Sequence, residues 1–263
     1  MPHPRLVVAG IILWGGLAAH SLRAQFPPDT LQNIKVLASD LTPRQVIDIM
    51  RGFALGLGVR CQFCHVGEEG QPLEEFDFPS DEKVMKRKAR EMIKMVTAIN
   101  EQHLAGLEDR GDPAVVVTCE TCHHGVSKPR RIQDILLDSY RENGVDSALA
   151  AYRALRAEYY GTAAYDFGAF TIPEVADLLM TRVARSRGAG VPPGDHPDVR
   201  AAIALLEVDL EFAPRSPFAH AGLGQAYRLL GDTTAALASF ERALEIDPGN
   251  RAAQIGIQRL RGR

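Results

Sequence analysis

Two copies of one five-residue pattern limit what this chain can become. Cys61, Cys64 and His65 form C-Q-F-C-H, Cys119, Cys122 and His123 form C-E-T-C-H, and these motifs use all four cysteines of the 263 residues. Two thiols three positions apart can add to the two vinyl groups of one porphyrin. The imidazole that follows then meets the iron from the proximal side, which makes C-x-x-C-H the attachment signature of a c-type haem. One copy would also suit a zinc site or a redox dithiol. Two copies behind an export leader, with no thiol left over, point to two covalently attached haems c, against a zinc site or a pair of disulfides.

Residues 1–24 read as a signal peptide: Arg5 gives a basic start, Leu6 to Ala19 an apolar run, and Leu22-Arg23-Ala24 a cleavage site before Gln25. The expected location is periplasmic. The run is short for a membrane span, and an uncleaved anchor is the alternative. No cysteine stands near the cleavage point to carry a lipid. Cleavage removes two arginines and no acid, leaving 28 bases against 33 acids. A net charge of −5, before the haem propionates are counted, weighs against a nucleic-acid partner.

Thr42 and Pro43 open a helix as N-cap and first helical residue. Val46, Ile47, Met50, Phe53 and Ala54 recur at helical spacing, and Gly56 and Gly58 end the helix just before Cys61. Met50, eleven positions ahead of Cys61, is thus a candidate axial ligand opposite His65, with core packing as the plainer reading. An acidic block follows (Glu68, Glu69, Glu74, Glu75, Asp77, Asp81, Glu82), then a basic one (Lys83, Lys86, Arg87, Lys88, Arg90, Lys94). Acids at a helix start and bases on its solvated face account for both. That helix is expected from about Asp81 to Leu104, with Met85, Ala89, Met92, Val96, Ile99 and His103 on one face. Met92 is the first candidate for the second distal ligand, Met95 the second and His103 the third. His103 lies about 16 Å beyond Met92 at roughly 1.5 Å per residue, so the two cannot serve one iron. His124, next to a proximal histidine, points away and is read as non-ligating.

N-I-K-V-L-A-S-D-L-T at 33–42, Met50, C-Q-F-C-H-V at 61–66, A-R-E-M-I-K-M-V-T-A-I-N at 89–100 and V-T-C-E-T-C-H-H-G-V-S-K-P at 117–129 resemble the cytochrome c subunit of photosynthetic reaction centres. The resemblance covers about residues 31–130. That subunit holds four haems as two helix-plus-attachment pairs, and this chain has material for one pair. By position, the resemblance implies Met50 and His65 on the first iron, and Met92 with His123 on the second. The histidine that in the family follows the I-N pair and serves a distant haem has no counterpart, because the Ala105-Gly106 region occupies its place. The lipidated N-terminal cysteine of some members is missing too.

The remainder reads as helical, with amphipathic spacing over Ile132 to Arg141, Asp146 to Tyr159 and Ile172 to Val183 and a Gly/Pro-rich linker from Arg185 to Pro197. Leu223, Gly224, Tyr227, Ala236, Phe240, Ala243 and Pro248 match a 34-residue tetratricopeptide repeat except at its usual first aromatic. Ala202, Leu206 and Pro214 echo the second half of a preceding repeat, so earlier helices should complete the stack. The expected fold is all-α: signal peptide 1–24, haem-packed dihaem cytochrome c domain 25–130, helical connector 131–185, and tetratricopeptide-repeat-like domain 186–263. The expected function is one-electron transfer to or from a membrane redox complex or a soluble carrier, with the repeat as a docking surface or a helical cap. Filled axial positions argue against catalysis. The alternatives are a dihaem peroxidase-like enzyme with one open iron, and an assembly factor working through its repeat.

Overall fold

In the computed structural model the described residues are 26–187 and 196–262. The expected signal peptide, and residues 188–195 of the expected linker, lie outside them. The described residues form ten α-helices and no strand, with one isolated antiparallel bridge between Val66 and Asp77. The all-α expectation holds. Two compact units divide the chain. The first holds the described residues 26–52 and 60–110, and the second holds 53–59 and 111–262, the division falling inside the first helix.

That helix, α1, runs Pro43–Leu57. Thr42 caps it as the sequence suggests: its Oγ1 accepts from Gln45 N at 3.4 Å, and Gln45 Oε1 accepts from Thr42 N at 2.8 Å. Gly58 ends it in the left-handed region (φ 63°). A Cβ there would collide with the Gly125 carbonyl, so only glycine fits. In the first unit, α2 spans Val84–Ala98, and wider turns over Ile99–Leu104 continue it. It therefore starts three residues later than expected. Lys83 stands at its N-cap and its side chain does not cap the helix, and Asp81 is engaged elsewhere.

The second unit adds the five-residue α3, Cys119–His123, and then a serial stack. Its helices are α4 Ile132–Asn143, α5 Val145–Tyr159, α6 Thr171–Arg187, α7 Pro197–Phe212, α8 Pro217–Leu230, α9 Thr233–Ile246 and α10 Arg251–Arg261. α6 extends three residues into the expected linker, through Arg187. Each of the last three starts on a short polar side chain that accepts from the third residue on: Ser216 at 3.1 Å, Asp232 at 2.9 Å and Asn250 at 3.0 Å. α4 packs on α5, α6 on α7 and α8 on α9. The α6–α7 pair is the earlier layer that the lone repeat needs, and Ala202 and Leu206 are fully buried in it. In the α8–α9 pair the Phe240 ring lies where a Cβ on Gly224 would stand, 2.5 Å from its Cδ1.

Buried side chains are distributed unevenly. From Ile132 to Leu229 one core joins Leu136, Tyr152, Leu179, Leu205 and Leu206 among others, and a smaller second core gathers around Phe240 in α9 and α10. Among the described residues of the first unit, Val46 is the only fully buried side chain. No helix among the described residues is long and apolar enough to cross a membrane.

Candidate functional site

The first C-x-x-C-H is one tight turn. Cys61–Phe63 form a 3-10 helix, and Cys61 O accepts from Cys64 N at 3.2 Å and from His65 N at 2.9 Å. Both thiols and the imidazole therefore leave one turn of backbone. Asp77 N then donates to Val66 O at 3.0 Å, folding the following loop back toward the turn. A side chain at Gly67 would strike the Phe76 ring in that fold. The loop brings the Phe78 carbonyl to 3.2 Å from His65 Nδ1. A carbonyl can only accept, so Nδ1 carries the proton and Nε2 keeps its lone pair, the arrangement of a metal-binding imidazole. The Phe78 ring stands edge-on to the His65 ring, 4.9 Å between centroids. Burial first, and then the Lys86 cation, holds His65 below its ordinary pKa, which favours the neutral imidazole. Burial likewise pushes the Cys64 thiol up, against the pull of Lys83.

The second motif is α3 itself. Thr118 N donates to Thr121 Oγ1 at 3.0 Å and Thr121 N to Thr118 Oγ1 at 3.4 Å, a reciprocal cap that uses the second spacer residue of the motif. His124 (φ 49°) and Gly125 (φ 81°) then turn the chain through the left-handed region. The turn places Val126 O at 2.9 Å from His123 Nδ1. His123 thus makes the same Nδ1-to-carbonyl bond as His65 by a local route. His124 is exposed at the C-cap, away from that bond. Gly125 N donates to Gly56 O at 2.9 Å, and Gly56 packs against the Glu120 backbone, tying α3 to the end of α1 within the second unit. Burial pushes the Cys119 thiol up, and all four thiols are free.

The candidate distal ligands stand apart from these turns in sequence. Met50 is partly buried on α1. Met92 and Met95 on α2 are 44% and 45% exposed, so exposure does not separate them. His103 is exposed in the widened turns after α2. Among the described residues no three His, Cys, Asp or Glu side chains converge as a metal-ion site. A cleft of about 780 Å³ beside Tyr140, Arg182 and Arg200 contains none of the attachment residues.

The basic block departs from its expected role as a solvated face. Lys83 Nζ donates to Gln62 O. Lys86 Nζ donates to the carbonyls of Phe78, Pro79 and Ser80 at 2.6, 3.0 and 2.7 Å. Arg90 pairs with Asp81 at 2.7 Å, as does Lys35. Lys35, then Arg90 and Asn33, hold the Asp81 carboxyl well below the usual carboxylate range. Charge spacing carries no signal for this inward turn, because the acceptors are backbone carbonyls that any residue supplies. The same holds for the Phe78 and Val126 carbonyls, which sequence reasoning missed. The Thr118–Thr121 cap, by contrast, was readable in T-C-E-T.

The residues fit a covalently held haem. Each turn offers two thiols and an oriented imidazole, and the apolar side chains of the first unit remain accessible to a large flat apolar group. A tetratricopeptide repeat model matches residues 217–250, which are α8 and α9 with their flanks. No curated protein matches the chain. The model of the photosynthetic reaction centre cytochrome C subunit matches residues 18–172. Covalently bound haem c and electron transfer follow as the general character of a chain that belongs to the photosynthetic reaction centre cytochrome c subunit family.

Proposed function

We propose that the protein is an exported, periplasmic dihaem c-type cytochrome that relays single electrons to or from a membrane redox complex or a soluble carrier. One observation carries this reading: both C-x-x-C-H turns fix the histidine alike, with Nδ1 on a main-chain carbonyl and Nε2 left to ligate. Bound haem c supplies a reversible one-electron iron couple. Cys61 and Cys64 hold one group and Cys119 and Cys122 the other. His65 and Met50 are the axial pair of the first iron, and His123 and Met92 that of the second, by position in the family. Methionine opposite histidine favours reduced iron and leaves no position for substrate. Residues 25–130 form the dihaem domain in this reading, 131–185 a connector, and 186–263 a repeat domain that docks a protein partner. A net acidic chain speaks for a protein partner rather than nucleic acid.

The second reading is a peroxidase-like enzyme with one open iron, which gains if neither Met92 nor Met95 reaches the second haem. Intact mass and haem content of the mature protein decide the main point. The expected result is two haems that survive acid–acetone extraction and no free thiol. Extractable haem or titratable thiols would overturn it. A high-spin ferric fraction that reacts with peroxide would move the function to the enzyme.

A further inference from the structure

We infer that Lys86 is a positioning residue that raises the reduction potential of the haem held by His65, by sharing the Phe78 carbonyl with His65 Nδ1. This rests on the reading above of His65 as an iron ligand. The Phe78 carbonyl takes His65 Nδ1 at 3.2 Å and Lys86 Nζ at 2.6 Å. Lys86 has an 11% exposed side chain, and its ammonium is fixed by two further carbonyls and by Asp81 at 3.5 Å.

A proximal imidazole is the more electron-rich the more strongly its Nδ1–H is drawn by its acceptor, and hydrogen bonds of this kind tune the metal. A cation on the same oxygen withdraws the density that the N–H would otherwise meet. His65 therefore donates less strongly to iron, and the ferrous state gains. The fixed positive charge acts in the same direction, because ferric iron carries one more positive charge.

The second site serves as the internal control. His123 Nδ1 meets Val126 O at 2.9 Å, and among the described residues no lysine or arginine donates to that carbonyl. One site thus has a long bond to a shared acceptor, and the other a shorter bond to an unshared one. The geometry predicts that the His65 haem titrates at the higher potential, other axial ligands being equal.

Spectroelectrochemical titration of the holoprotein tests this. Lys86→Met should lower the midpoint of the His65 haem and leave the His123 haem unmoved, while both spectra stay low-spin. Lys86→Arg, which keeps the charge, should restore most of the shift. An unchanged midpoint, or an equal shift of both haems, would reduce Lys86 to an anchor of the 78–80 loop. His65→Ala, run in parallel, should abolish the low-spin signal of one haem and thereby assign the waves. If it leaves both haems low-spin, the ligand reading fails. If it behaves as expected while Lys86→Met shifts nothing, only the tuning fails. Should Lys86→Met itself lose low-spin character, Lys86→Gln supplies a neutral donor, and its midpoint should still fall.

Discussion

Met50 sits on the middle of α1, where a thioether is either a ligand or a filler. Met50→Ala distinguishes these: it should open one iron, giving a high-spin component and a lower potential at the His65 haem alone. An unchanged spectrum would make the residue packing. Met92 and Met95 need a sharper comparison, because they lie three residues apart and their side chains leave α2 about 60° from each other. Only one can point squarely at an iron. Met92→Leu nearly conserves volume and should cost less than about 1.5 kcal/mol of stability, yet it should abolish methionine ligation at the His123 haem. Met95→Leu should leave that ligation intact. A reversed outcome would shift the register of α2 by one turn. The candidate ligating side chains are the residues that sequence makes legible, because thiol, imidazole and thioether are distinct chemistries at fixed spacing. The carbonyls that orient His65 and His123 are not, since every residue supplies one.

At the scale of an element, α7 buries a carboxylate without full compensation. Asp209 is 7% exposed and its Oδ2 has no hydrogen-bond partner. Burial raises its pKa from 3.8 to about 6, against the opposing pull of Arg156. Between those two values the folded protein holds a proton that the unfolded chain has released, so stability falls as pH rises through the window. Asp209→Asn should flatten that slope and stabilise the neutral-pH protein by about 1–2 kcal/mol, after discounting for water near the group. Denaturant unfolding followed by far-UV circular dichroism at pH 4 and pH 7 measures both effects; an unaltered slope would mean that the carboxyl is better solvated than its burial implies. Helix identity was readable wherever an apolar stripe had a core to meet, as in α4, α5, α6, α8 and α9. The α2 boundary was less so. Asp81, which looked like a helix-start acid, instead collects Lys35, Lys86 and Arg90. Side chains of α2 itself, with Lys35, take its charge in place of the helix's first N–H groups.

Across the molecule the two kinds of core differ in what holds them. The helices from Ile132 onward bury two well-filled sets of aliphatic and aromatic side chains, whereas residues 26–52 and 60–110 bury only Val46 fully. About 25 cal/mol per Å² of apolar burial is the main term that offsets chain entropy. A segment with so little of it depends on the attached group for its interior. A variant with all four cysteines changed to alanine should therefore lose amide-exchange protection over 26–110 and keep it over 132–187 and 196–262. Protection lost uniformly would mean that one cooperative unit spans both. The unevenness also sets an order of events during synthesis. Domains usually fold as they emerge, amino-terminal part first. With so little apolar burial over 26–110, the first part made is expected to become compact last, the carboxy-terminal stack closing while Cys61 and Cys64 still lie on loosely packed backbone. Vectorial folding would run backwards in such a chain, and the thiols of the first motif would stay open to chemistry until a haem is attached.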